Sequence, residues 1–101
     1  MIIYNITTRV GWEIHEEWLG WLRQQCLPGI IGTGLFTDFQ LVRVKEVSEE
    51  EGPTYAVQLF AKGEPELNLY RQNHLEDLER TEWENWGESA FSFKTVLEVI
   101  N

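Results

Sequence analysis

The chain has 101 residues, a formal net charge of −9 and a pI near 4.6, with 43% hydrophobic and 25% charged residues. That length supports one domain built on one core, here residues 1–101, and that balance excludes a disordered chain. So acidic a protein repels phosphate backbones and anionic lipid, which excludes nucleic acid and membrane surfaces from the expected partners.

A single cysteine, Cys26, leaves no intrachain disulfide to be made. Met1 runs straight into Ile2-Ile3-Tyr4 without the basic and apolar regions of a secretory signal. No apolar run approaches the ~20 residues needed to span a bilayer, so the expected location is the cytoplasm.

In chain order, Ile2 to Thr8 reads as a strand, with Ile2, Tyr4, Ile6 and Thr8 on one face and Ile3, Asn5 and Thr7 on the other. Asn5 is the odd residue, a poor strand former in an apolar segment; it suits either a satisfied amide or a hydrogen bonder facing a ligand. From Glu13 to about Cys26 the period turns helical. Ile14, Trp18, Leu19, Trp21, Leu22 and Cys26 share an apolar arc with His15 inside it, and Pro28-Gly29 is expected to end the helix. Leu27 to Gly34 then reads as a glycine-dense connector. It lacks the lysine and spacing of a phosphate-binding loop.

Phe36 to Val47 is expected to form an edge strand guarded by Arg43 and Lys45. The acidic turn Ser48–Pro53 follows, with no spacing that would specify a calcium site. Pro53 to Phe60 is the least ambiguous strand. Bulk on both faces places it in the middle of a sheet. Pro65 to about Arg80 forms a second helix, with Leu67, Tyr70, His74 and Leu78 along its inward stripe and Leu75 beside it. Ser89 to Ile100 closes the chain as a strand.

Strand, helix, strand, strand, helix, strand is the split βαβ, ferredoxin-like order of an α+β protein. Right-handed crossovers put both helices on one face of a four-stranded antiparallel sheet. The opposite face, roughly 400 Å² for strands ~4.8 Å apart and ~20 Å long, then lies open. Burying it between two subunits is worth on the order of 20 kcal/mol gross at ~25 cal/mol/Å². That exceeds the ~4–15 kcal/mol cost of association, so a homodimer joined through the sheet face is expected.

Ile2-Ile-Tyr-Asn5, Ile14-His15 with Trp18-Leu19-Gly-Trp21, Thr33-Gly34-Leu-Phe36 and Glu51-Gly-Pro-Thr-Tyr-Ala-Val-Gln58 carry a resemblance over essentially the whole chain. They resemble a family of short bacterial proteins classed as a domain of unknown function. At the fold level the chain is similar to the dimeric α+β barrel group, which holds antibiotic-biosynthesis-type monooxygenases and haem-degrading enzymes. That likeness implies two ferredoxin-like units joined by their sheets, each with a cavity between helices and sheet. The chain departs from the family at Cys26, where a histidine commonly precedes the proline. Asn5, Tyr70 and His74 match the residue types of the haem-degrading branch, but Tyr70 and His74 are only one turn apart. No cofactor is therefore expected.

His15 and His74 are the only histidines, each on the inward stripe of a helix. The expected site is a small-molecule pocket under the helices, formed by His15, His74, Trp18, Tyr70, Tyr4 and Asn5. Two histidines without a third ligand do not make a zinc site, and no metal is expected. The reading is a binding module for a small apolar or aromatic ligand. Its alternatives are a cofactor-free monooxygenase- or isomerase-like enzyme with a histidine base, or an interaction protein without a small-molecule site.

Overall fold

A computed structural model describes residues 1–101. Its axis is the nine-residue strand β1 (Ile2–Val10), whose burial alternates residue by residue as its sequence does. Ile2, Tyr4, Ile6, Thr8 and Val10 point under the helices and are buried. β1 is flanked on one side by β3 (Thr54–Ala61) and on the other by β4 (Ala90–Glu98); β2 (Asp38–Arg43) forms the edge beyond β3. The order β2-β3-β1-β4, antiparallel throughout, is that of the ferredoxin-like fold. β3 is thus an inner strand, as its two-sided bulk requires. β2 is shorter than the stretch Phe36–Val47: Phe36 is buried before the strand begins, and Glu46 turns at φ 61° after it ends.

The first helical arm overturns the expected stop at Pro28-Gly29. α1 (His15–Trp21) runs into a π-helical segment, Leu22–Cys26, and then into α2 (Leu27–Gly32) without leaving helical backbone angles. A proline in a helix has no N–H to give and its ring crowds the carbonyl four residues back. Here the turn just before Pro28 is widened, with the Leu27 N–H donating to the Leu22 carbonyl. A π-turn of this kind makes room for the ring without breaking the rod. It also shifts the inward stripe by one residue, from Trp18 and Leu22 to Leu27 and Ile30, all four buried.

The second arm is broken where one helix was expected. α3 (Glu64–Asn73) and α4 (Leu75–Trp86) meet at His74, whose φ of −130° interrupts the rod. Pro65 sits in the first turn of α3, where its missing N–H costs nothing. α4 runs past Arg80 to Trp86 and stops at Gly87, at φ 55°, a conformation that favours glycine. None of these helices is long and apolar enough to cross a membrane.

The core lies between sheet and helices, centred on Leu59, Leu67 and Tyr70. Gly52 closes the β2–β3 turn against the first strand. It has φ 153°, and a Cβ there would overlap the Val10 carbonyl. Only glycine fits.

The outer face of the sheet carries rows of side chains set by the strand register. One row reads Gln40, Gln58, Asn5, Thr95 across β2, β3, β1 and β4. The row on one side is Asp38, Phe60, Ile3, Leu97, and that on the other is Val42, Ala56, Thr7, Phe93.

Candidate functional site

The two histidines do not meet. The Nε2 of His15 lies 2.7 Å from the Tyr55 hydroxyl, and the ring stacks on Tyr55 with centroids 5.7 Å apart. Trp18 also stacks on Tyr55, at 5.7 Å, and Trp12 meets His15 edge-on at 5.6 Å. Arg43 lies over the same Tyr55 ring and is held by a paired hydrogen bond to Glu49. His15 and Trp18 therefore belong to an aromatic packing cluster at the Thr8 end of β1, where Tyr55 is the cross-strand partner.

His74 stands elsewhere. Its ring stacks on Tyr70 at 5.8 Å and 27°, and Tyr70 packs against Phe36 at 5.0 Å and Tyr4 at 6.2 Å. Tyr4 lies four positions from Thr8 along β1, or ~13 Å at ~3.3 Å per residue. Asn5 is on the outer sheet face and donates to the Thr7 hydroxyl at 3.0 Å. The six expected site residues thus divide among three places. Tyr70 and His74 line one groove with Tyr4 packed beneath Tyr70, His15 and Trp18 lie in the Tyr55 cluster, and Asn5 is on the far side of the sheet.

The groove at His74 runs between the two helical arms and encloses about 280 Å³. Trp21, Cys26 and Ile30 form one side, and Tyr70, His74 and Leu78 the other. Tyr70, His74 and Leu78, spaced four residues apart, face the groove together, and the helical bonds His74 N–H to the Tyr70 carbonyl and Leu78 N–H to the His74 carbonyl keep that spacing across the junction of α3 and α4. Gly29 opens the opposite wall: a Cβ there would meet no atom within 4 Å. Gln25, Thr33, Asp77 and Thr81 add polar groups around the mouth. Directly between helices and sheet, by contrast, the free space is about 20 Å³, bounded in part by Thr8, Trp18 and Glu82. A ligand-sized space therefore lies between the helices, not beneath them. A wider depression of about 450 Å³ near Arg9, Glu13, Glu51 and Glu88 has Phe91 as its one hydrophobic wall.

The groove floor is electrically neutral. Burial, aided by the nearby Glu82 charge, pushes the Cys26 thiol up to about 12. Burial likewise pushes the Tyr70 phenol up, with Cys26 and Tyr4 adding to it. Both stay protonated at neutral pH, so Cys26 offers a thiol and not a nucleophilic thiolate. No three His, Cys, Asp or Glu side chains converge in a way that could hold a metal ion. What the site offers is two aromatic walls, a hydrogen-bonding imidazole and a ring of neutral polar groups with one carboxylate, Asp77.

Sequence reasoning found Tyr70 and His74 by their stripe, but it missed Gln25, Gly29, Thr33, Asp77 and Thr81. The glycine-dense stretch from Leu27 to Gly34 reads as a connector in sequence, and a connector carries no helical periodicity to align these residues. The small side chains at Gly29 and Thr33, one helical turn apart, are the signal that reveals the wall once the helix is known to continue.

The family described as a domain of unknown function, DUF4286, matches residues 1–100. Among solved structures, an ethyl tert-butyl ether D (EthD) family protein from Bacillus halodurans C-125 is similar at a TM-score of 0.71 and 11% identity, covering 99% of this chain and 100% of that one. A dimeric ferredoxin-like protein from an uncultured marine organism is similar at a TM-score of 0.61 and 10% identity, covering 99% of this chain and 96% of that one. Likeness at such identities is one of fold. No curated protein matches the chain.

Proposed function

The chain belongs to the DUF4286 family, and we propose that it is a homodimeric module that binds a small, largely apolar or aromatic ligand in the groove between its helical arms. The observation that carries this reading is the groove itself: about 280 Å³, walled by Trp21 and Tyr70, with the His74 imidazole at its rim. Ligand pockets of ~300–1,000 Å³, mostly apolar with a few placed polar groups, are the usual form of such sites. A volume at the bottom of that range suits a single-ring compound. In this reading Trp21 faces the ring, the buried Tyr70 forms the groove floor with Tyr4 beneath it, and His74 hydrogen-bonds the ligand's polar substituent. His15, Trp18 and Asn5 serve the frame and the sheet face.

The test uses indole, p-cresol and phenethylamine as probes, followed by NMR on the Trp21 indole and His74 ring resonances. Saturable shifts in the wild type, abolished in Gly29→Leu, are expected. Resonances that stay put at millimolar probe would overturn the reading.

Dimerisation through the outer sheet face rests on that face's chemistry. Phe91 and Phe93 are 62% and 53% exposed there, beside Leu97 and the apolar Ile3 and Val42. β1 and β4 have nine residues each. At ~3.4 Å per residue and ~4.8 Å per strand the footprint is roughly 550 Å² per copy. Two copies bury about 1,100 Å², above the ~1,000 Å² a specific interface needs. The similar fold of a dimeric ferredoxin-like protein agrees with this, and the lone unpaired Cys26 agrees with a reducing, cytoplasmic setting.

A further inference from the structure

The row Gln40, Gln58, Asn5, Thr95 crosses the middle of a face whose neighbouring rows, Asp38, Phe60, Ile3, Leu97 and Val42, Ala56, Thr7, Phe93, are each apolar at three of four positions. We infer that this row is the device that fixes how the second copy docks: amides of one sheet meet amides of the other, and the mostly apolar rows close on either side. This rests on the homodimer proposed above.

Asn5 and Gln58 are cross-strand partners on the two inner strands, so they lie near the centre of the face, where a twofold axis would pass. In an isologous contact each residue's patch meets the same patch on the partner. The Asn5 amide makes one hydrogen bond within its own chain, Nδ2 to the Thr7 hydroxyl, leaving its carbonyl oxygen and second N–H free. Once covered by another sheet, a lone amide group weakens the contact unless it finds a partner.

Successive rows on one face are ~6.8 Å apart. A slip of one row therefore sets the four polar side chains against a row that is apolar at three of four positions, with a single group, Asp38 or Thr7, to answer them. Docking with row on row is the register that offers a polar partner to each. A flat apolar sheet face of the same size has no such preference, and would pair in several registers. A single polar residue in an otherwise apolar seam specifies coiled coils by the same logic, at a cost in affinity.

The experiment compares wild type with the double variant Asn5→Val/Gln58→Val in sedimentation and amide NMR. Wild type is expected as a dimer with one set of amide resonances. The double variant is expected to remain a dimer, bind itself about tenfold more tightly, and show doubled or broadened resonances along β1 and β3. One sharp set of resonances in the double variant, with affinity unchanged, would overturn the inference while leaving the dimer intact. A wild-type monomer at micromolar concentration would remove the dimer, and the inference with it. Asn5→Asp/Gln58→Glu guards against a folding artefact. It is expected to be folded by circular dichroism and a monomer by sedimentation, and a folded dimer in its place counts against the amide row.

Discussion

The imidazole of His15 and the phenol of Tyr55 share a hydrogen bond of 2.7 Å while their ring planes lie within 14° of parallel. One contact thus ties the start of the first helical arm to the start of β3. Tyr55→Phe keeps the stack and removes the bond. A loss of about 1 kcal/mol is expected, read as a lower urea midpoint at unchanged slope. A midpoint equal to wild type would show that water replaces the bond without penalty.

Phe93 stands on the outer sheet face with half its surface exposed and no role in the core. Phe93→Glu should leave the fold and its melting profile at low concentration intact, yet weaken self-association at least 100-fold, because each copy would bring a carboxylate into an apolar contact. Sedimentation across a concentration series checks this. A variant that dimerises as well as wild type places the contact elsewhere.

Two glycines should respond in opposite directions. Gly29 sits inside α2 with helical neighbours and open space beside it, so Gly29→Ala should stabilise the protein by about 0.5–1 kcal/mol through helix propensity alone. Gly52→Ala meets both a φ of 153° and the Val10 carbonyl, and should destabilise by several kcal/mol or prevent folding. Thermal melts of the pair decide the point.

Alkali should unfold the protein early. Cys26 holds its proton up to about 12 when folded, well above the ordinary thiol range, chiefly because burial disfavours the thiolate. Burial pushes Tyr70 and Tyr4 the same way. A group whose folded pKa is raised gives up its proton first in the unfolded chain, so its contribution is complete below pH 9 and is lost as pH climbs towards 12. Melting temperature should therefore fall from about pH 9 upward. Iodoacetamide should alkylate Cys26 slowly at pH 8 until denaturant is added.

Much of the architecture was legible because alternation and helical period report burial directly. Ile2, Tyr4, Ile6 and Thr8 read as one face and are buried as one face. Tyr55, Val57 and Leu59 do the same. The groove was harder to see for a physical reason. Pro28-Gly29 is a strong stop signal by local sterics, and it is overridden by a widened turn that no propensity scale contains. His74 belongs to a continuous apolar stripe in sequence, and nothing in that stripe marks the φ of −130° at which α3 gives way to α4. Likewise, nothing in a one-dimensional pattern places Gln40, Gln58, Asn5 and Thr95 in line. That alignment is a product of register.

The wide turn at Leu22–Cys26 has a consequence for length. The spacing from Trp18 to Leu22 to Leu27 to Ile30 is four, five and three, so the middle step holds one residue more than an ordinary helix would use. Excising Gln24 would turn that five into a four and leave the same side chains facing inward. The shortened rod would then press the ring of Pro28 into a backbone oxygen, unless alanine replaced the proline as well. A hundred-residue chain with both changes should keep its shape by circular dichroism; loss of the fold would show that the supernumerary residue serves more than the proline.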